Sequence, residues 1–155
     1  MDIKNIKGVI PPVVIPLNQD RSLDRVSLER SVNRMIEAGV NGLFFLGSSS
    51  AVAFETDAER EEILKAAVEI VAGRVPVLAG VIDMETNRVI EHAKAAEALG
   101  VDGLVSTCPF YALGGPKEVE RHFRVIHENV TLPLFAYDLP VCVHTKLDPT
   151  MLVRL

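Results

Sequence analysis

The sequence predicts an α/β fold, a (β/α)8 barrel of which these 155 residues supply roughly the first five strands and four to five helices. Three observations lead there. Short apolar runs alternate with longer amphipathic segments along the whole chain. The runs lack polar alternation, as strands covered on both faces do. The pattern also echoes itself: "AGVNGLFF" at Ala38 and "LGVDGLVS" at Leu99 stand 61 residues apart, and "VPVLAG" at Val75 and "LPLFAY" at Leu132 stand 57 apart. A repeated pair of βα units gives such an echo, whereas a doubly wound open sheet rarely repeats so evenly.

The expected strands are Val9–Pro16, Gly42–Leu46, Val75–Gly80, Gly103–Thr107 and Leu132–Tyr137, each short and rich in Val, Leu, Ile or Phe. Start and stop signals mark the helices between them. "RSLDRVSLERSVNRMIEAG" ends at Gly39. "ETDAEREEILKAAVEIVAG" sets Thr56 and Glu59 at capping-box spacing and ends at Gly73. "ETNRVIEHAKAAEALG" ends at Gly100, and "GGPKEVERHFRVIHENV" opens with Pro116 at a first-turn position. A further helix is expected at Pro149–Leu155. A whole barrel typically takes about 250 residues. Residues 1–155 therefore read as the N-terminal part of a single barrel domain, either a piece of a longer chain or one closed by association.

Composition narrows the function. Apolar residues make up 48% and charged residues 24%, a balance typical of soluble domains. Sixteen Lys and Arg against 21 Asp and Glu give −5, so no electrostatic feature favours nucleic acid or an anionic membrane. Aromatics at 5%, without tryptophan, leave no stacking platform. The expected partners are a small molecule or another subunit. Cys108 and Cys142 lie outside any CxxC spacing and read as free, buried thiols of a reduced compartment. "MDIKNIKGVI" lacks an apolar signal core and no run approaches about 18 apolar residues, which points to the cytoplasm.

In barrels and parallel sheets alike, chemistry sits at the carboxyl ends of strands. The second strand ends in Gly47, Ser48, Ser49 and Ser50; the third is followed by Asp83 and Glu85. Cys108, Pro109, Phe110 and Tyr111 follow the fourth, and the fifth ends in Tyr137-Asp138-Leu139-Pro140. The serines fit a plain capping loop, or a row of hydroxyls and backbone N–H groups facing a carboxylate. Tyr137 is either a core tyrosine with a satisfied hydroxyl or a member of a proton relay, since a phenol with a pKa of about 10 is a poor base alone. Tyr111 reads as an aromatic packed under the glycine turn of "CPFYALGG". Asp83 and Glu85 read as solvated loop charges or caps. His92, His122 and His127 fall on helix surfaces and His144 in a loop, so no metal site is expected. A flavodoxin-like cofactor binder is disfavoured by the lack of any phosphate loop.

Together these segments resemble the dihydrodipicolinate synthase / N-acetylneuraminate lyase family, Schiff-base lyases on a (β/α)8 barrel. "GVIPPVVIPLNQD" is similar to that family's first strand and turn, "GLFFLGSSS" to its Gly-(Ser/Thr)-(Ser/Thr) loop, "CPFY" to its Pro-aromatic-Tyr segment and "YDLP" to its Tyr-Asn-Val/Ile-Pro motif. The resemblance implies a lyase or aldolase that joins pyruvate or a related 2-keto acid to a lysine, with an aldehyde as the second substrate and no cofactor. It implies that Ser48 and Ser49 hold the keto acid carboxylate, Ser49 also passing protons, and that Tyr137 is the general acid/base. Tyr111 would reach into a neighbouring subunit's site of a homo-oligomer, commonly a tetramer.

Three positions depart from the family pattern. Ser50 and Ala51 stand where Gly-Glu usually follows. Cys142 stands where the synthases carry an arginine, and cysteine cannot grip a carboxylate bidentately. A strict lysine-pathway synthase is therefore not expected. The Schiff-base lysine belongs to a sixth strand beyond Leu155. Lys146, in the polar "VHTKLDP", lacks the apolar enclosure that would lower a lysine pKa and reads as a surface residue, so residues 1–155 by themselves are expected to be inactive. The alternative expectation is a non-catalytic relative acting as a ligand-binding or assembly module.

Overall fold

The computed structural model describes residues 6–154. Its elements run α1 (Arg25–Glu37), β1 (Leu43–Phe45), α2 (Asp57–Val71), β2 (Val77–Gly80), α3 (Thr86–Leu99), β3 (Gly103–Thr107), α4 (Pro116–Asn129), β4 (Leu134–Tyr137), then the short helices α5 (Pro140–Val143) and α6 (Pro149–Leu152). The four strands form one parallel sheet in the order β1-β2-β3-β4, with a helix leading from each strand to the next. Residue 155, the expected end of the last helix, lies outside the described residues, as do residues 1–5.

Helix boundaries follow the chain's own signals. The Thr56 hydroxyl accepts from the Glu59 N–H, and the Glu59 carboxylate accepts from the Thr56 N–H at 2.7 Å, closing the capping box that starts α2. Pro116 opens α4, where its missing N–H has no intrahelical partner to lose. Gly100 stops α3 with φ of +86°.

The expected first strand takes a different form. Val9–Pro16 is extended beside β1 but makes only one bridge, Pro12 with Phe44. The Phe44 N–H donates to the Pro11 carbonyl at 3.0 Å, and the Val13 N–H donates to the Phe44 carbonyl at 2.8 Å. Pro11, Pro12 and Pro16 have no N–H, so a regular ladder cannot continue on this segment. Val13 and Ile15 still turn into the core while Val9 and Val14 stay exposed.

Paired residues of a parallel sheet share a face. Leu43, Phe45, Val77, Ala79 and Leu104 meet Leu28 and Val32 of α1, Ile63 and Ala67 of α2, and Ala93 and Ala96 of α3 in the main core. The register sends Phe44, Leu78, Val105, Phe135, Thr107 and Tyr137 to the opposite face, the barrel's inner face. β4 pairs with β3 alone, and Ala136 is exposed on it. Among the described residues no helix is long and apolar enough to cross a membrane.

One crossing fixes the carboxyl end of the sheet. Beyond β1 the chain turns at Leu46, a buried residue with φ of +56°, and passes over the end of β2. There a Cβ on Gly80 would stand 2.0 Å from the Leu46 carbonyl oxygen and 2.6 Å from its carbonyl carbon. Both obstacles are backbone and cannot step aside. Gly80→Ala is expected to destabilise the folded protein by about 3 kcal/mol, measured by denaturant unfolding; a change within about 0.5 kcal/mol would contradict the crossing.

Candidate active site

The loop between β1 and α2 is two successive 3-10 turns, Ser48–Ser50 and Val52–Phe54, hinged at Ala51 with φ of +56°. The first turn is closed by Ser50 N–H to Gly47 carbonyl (3.0 Å) and Ala51 N–H to Ser48 carbonyl (3.1 Å). Ser48 and Ser49 are exposed at this carboxyl end of the sheet, whereas Ser50 is buried. The Ser50 hydroxyl donates to the Val13 carbonyl at 2.6 Å and ties the loop to the extended N-terminal segment.

Arg60 ties the other side. This buried α2 residue donates from Nη1 to the Ile82 carbonyl and from Nη2 to the Val52 carbonyl, both at 3.0 Å. One guanidinium thus fastens the hydroxyl loop to the segment leaving β2; burial lowers its pKa, and among the opposite charges that counter this Asp83 acts most strongly. No sequence pattern marks Arg60, because its burial depends on a neighbour 22 residues on.

Asp83 is buried rather than a solvated loop charge. Burial raises its carboxyl, but hydrogen bonds from His92, the Met84 N–H and Arg88 outweigh that and hold it below the usual carboxylate range. His92 is correspondingly enclosed, its Nε2 3.0 Å from Asp83, and not on the helix surface. Glu85 caps α3 by accepting from the Asn87 and Arg88 N–H groups. His122 also departs from expectation, being 2% exposed. Its Nε2 donates to the Thr107 carbonyl at 3.2 Å, which fixes the tautomer and leaves Nδ1 to accept from Thr86 Oγ1 at 3.0 Å. Helix periodicity alone places His92 and His122 outward; the neighbouring elements that cover them decide otherwise.

The inner face and the carboxyl-end loops enclose a cleft of about 240 Å³. Ser48, Val52, Ile82, Thr107, Phe110, Leu139, Cys142 and Val143 line it, together with Ala51, Ala53 and Phe54. None of these residues carries a charge. Cys142 is exposed rather than buried, while Cys108 is buried and its thiol is pushed up to about 11 by burial, with the Asp138 charge adding to it. Cys108 is therefore no nucleophile near neutral pH. Tyr137 is half-buried, and its ring meets Phe44 across the inner face edge-on, centroids 5.8 Å apart. It pairs in register with Thr107 but does not itself line the cleft, and neither does Ser49.

Tyr111 is 91% exposed with φ of +72°, so it does not pack under the glycine turn. Its loop holds the phenol out into solvent. Lys146 is exposed and pairs with Asp138. Among the described residues no cluster of three or more His, Cys, Asp or Glu side chains is placed to hold a metal ion.

Two outcomes follow for the supports of this site. Arg60→Met strands the Val52 and Ile82 carbonyls and is expected to cost about 3 kcal/mol of stability, read by denaturant unfolding. Burial lowers the His122 pKa against the smaller opposing effects of the Thr107 carbonyl and Glu85. The unfolded chain, titrating near about 6.5, then binds more protons than the folded one just below that pH, and stability falls on acidification. The melting temperature is expected to drop between pH 7 and about 5.5, with a smaller drop in His122→Gln; equal drops would contradict this role.

The sequence matches the Dihydrodipicolinate synthetase family over residues 5–155. It is 35% identical over 153 residues to the Escherichia coli K12 protein named probable 2-dehydro-3-deoxy-D-pentonate aldolase YjhH, covering 99% of this chain and 51% of that protein. Two solved structures superpose closely. YagE, a prophage protein of the dihydrodipicolinic acid synthase family from E. coli K12, in complex with pyruvate, gives a TM-score of 0.90 at 34% identity, over 93% of this chain and 48% of its own. The chloride-inhibited dihydrodipicolinate synthase from Acinetobacter baumannii, complexed with pyruvate, gives 0.93 at 31%, over 97% and 52%. The chain spans about half the length of these relatives. With its parallel βα order and its match across residues 5–155, the chain belongs to the dihydrodipicolinate synthetase family and corresponds to the N-terminal half of its barrel.

Proposed function

We propose that the protein to which this chain belongs is a Schiff-base-forming lyase or aldolase acting on pyruvate or a related 2-keto acid. The observation that carries this reading is the hydroxyl loop. Ser48 and Ser49 stand exposed on a turn pinned from both sides, by Ser50 to Val13 and by Arg60 to Ile82 and Val52, at the end of the sheet where Tyr137 closes β4. A turn held this firmly presents two hydroxyls without an ordering penalty on binding, as a carboxylate cradle requires. The pyruvate complexes of YagE and the A. baumannii synthase support the choice of keto acid.

In this mechanism Ser48 and Ser49 hold the carboxylate while a lysine from a strand beyond residue 155 attacks the keto carbon. Water leaves as the imine forms, and the imine then acts as electron sink for making or breaking the neighbouring C–C bond. Tyr137 moves the proton at that bond, Ser49 passing it on and Tyr111 of a second copy completing the relay. The exposure of Tyr111 supports a role across a contact between copies, and we place the site in a homo-oligomer. The cleft's uncharged lining, with Cys142 in it, supports an acceptor other than an acidic aldehyde and so argues against a strict lysine-pathway synthase.

Treating the intact protein with pyruvate and borohydride is expected to add one reduced pyruvate to a single lysine outside residues 1–155; absence of any adduct would sink the proposal. In the same protein, Ser48→Ala should raise KM for the keto acid about tenfold, the loss of one charge-assisted hydrogen bond. Tyr137→Phe should lower kcat by about 100-fold or more with KM little changed; an equal change in both parameters would assign Tyr137 to binding instead.

A further inference from the structure

Asp83 is a buried carboxylate that caps no helix. It stands three residues past the end of β2 and is 8% exposed, while the start of α3 is capped by Glu85. Burying a carboxylate is costly unless its oxygens are received. Here they are. Oδ1 accepts from the Met84 N–H at 2.7 Å, and Oδ2 accepts from Arg88 Nε and His92 Nε2, both at 3.0 Å. Arg88 also donates to Asp57 in the first turn of α2, at 3.1 Å.

The backbone held in this way is the one the Arg60 clamp uses. The Ile82 carbonyl and the Asp83 N–H belong to one planar peptide unit. Fixing the Asp83 side chain therefore orients the carbonyl that accepts Arg60 Nη1. Arg60 Nη2 donates to the Val52 carbonyl, one residue beyond Ala51, where the serine turn meets the next. The charges agree with this geometry. Burial opposes the Arg60 charge, and Asp83 is the strongest of the groups that favour it, followed by Asp57 and Glu55, with Arg88 opposed. Val52 and Ile82 line the cleft beside Ser48, and Asp83 does not. Contacts thus lead from Asp83, outside the cleft, through one peptide and one guanidinium to the turn that carries the hydroxyls.

We propose that Asp83 is a positioning residue for the keto acid site: anchored by Arg88, His92 and the Met84 N–H, its carboxylate fixes the Ile82 carbonyl and the Arg60 guanidinium, and through them the Ser48–Ser49 turn. This rests on the Schiff-base reading and adds to it the group that sets how firmly the turn is held before a carboxylate arrives. Asp83 touches neither the substrate nor the reacting atoms, so its loss acts on affinity and leaves the chemistry in place.

The test follows borohydride trapping of pyruvate on the intact protein, reading the half-saturating pyruvate concentration and the maximal trapping rate separately. Asp83→Asn keeps the shape, but its amide nitrogen cannot accept on one side of the former carboxylate. It is expected to raise half-saturation about fivefold with the maximal rate unchanged. Asp83→Glu, which keeps the charge, should recover most of this. Arg60→Lys keeps its charge but loses the fixed fork that reaches two carbonyls, and should give the same rise. The double variant Asp83→Asn/Arg60→Lys should shift no further than either alone, because both act through one clamp. Glu85→Ala uncaps α3 from the same segment and should lower the melting temperature with half-saturation unchanged. Unchanged half-saturation in Asp83→Asn, or in Arg60→Lys where Asp83→Asn does not fold, overturns the proposal. So do effects that multiply to about 25-fold in the double variant, and an equal shift in Glu85→Ala, which marks a general loosening of α3. Wild type without an adduct overturns the Schiff-base reading and this proposal with it, whereas an adduct with unchanged half-saturation in the variants overturns this proposal alone.

Discussion

The Leu46 carbonyl oxygen lies 2.0 Å from where a side chain on Gly80 would begin, and the loop from Gly47 to Phe54 takes its place from that crossing. Strand β1 is only three residues long, so the chain must turn early and pass over β2 instead of continuing beside it. Leu46 accepts an unfavourable left-handed backbone to make the turn, offset by complete burial of its side chain. Gly47 then closes against the Phe44 ring, where a Cβ would stand 2.7 Å from the nearest ring carbon. Of the three consecutive serines that follow, Ser48 and Ser49 are exposed and Ser50 is buried.

Polar groups are divided across the sheet in a way that serves this loop. Behind and beside it, the Asp83 carboxylate accepts from Arg88 and His92 of α3, while Arg60 of α2 donates to the Ile82 and Val52 carbonyls. On the inner face the lining is uncharged, and its polar atoms are hydroxyls, a thiol and backbone. Burying the Arg60 guanidinium is tolerable because two carbonyls and the Asp83 charge receive it, and those bonds join two strand-end loops that otherwise share no ladder. Rigidity comes from the charged side, and the neutral side faces the cleft. Thr107 connects them, its carbonyl held by His122 from the helix layer while its hydroxyl faces inward.

Much of the fold was legible because it rests on local rules. The capping box at Thr56 and Glu59, Pro116 at the head of α4 and the glycine after α3 each mark a boundary through short-range backbone chemistry. The proline-rich Val9–Pro16 shows the limit. Its apolar pattern reads as a strand, yet three missing N–H groups reduce it to one bridge. The outward-facing Ser48 and Ser49 and the strand-end Tyr137 were also visible, since position at a strand's carboxyl end is a property of order along the chain. Burial of Asp83 and His122, partial enclosure of His92, exposure of Cys142 and the clamp made by Arg60 were not, because each depends on which distant element covers the residue.

The central claim is that the pinned serine turn holds the carboxylate of a keto acid joined to a lysine of the barrel's other half. It is tested most directly by a crystal structure of the intact protein after pyruvate soaking and borohydride reduction. The account predicts a covalent adduct whose carboxylate oxygens accept hydrogen bonds of about 2.7–3.0 Å from Ser48, Ser49 and the turn's N–H groups, with Tyr137 beside the reduced carbon. A carboxylate bound elsewhere in the barrel, with the Ser48–Ser50 turn unengaged, would contradict it.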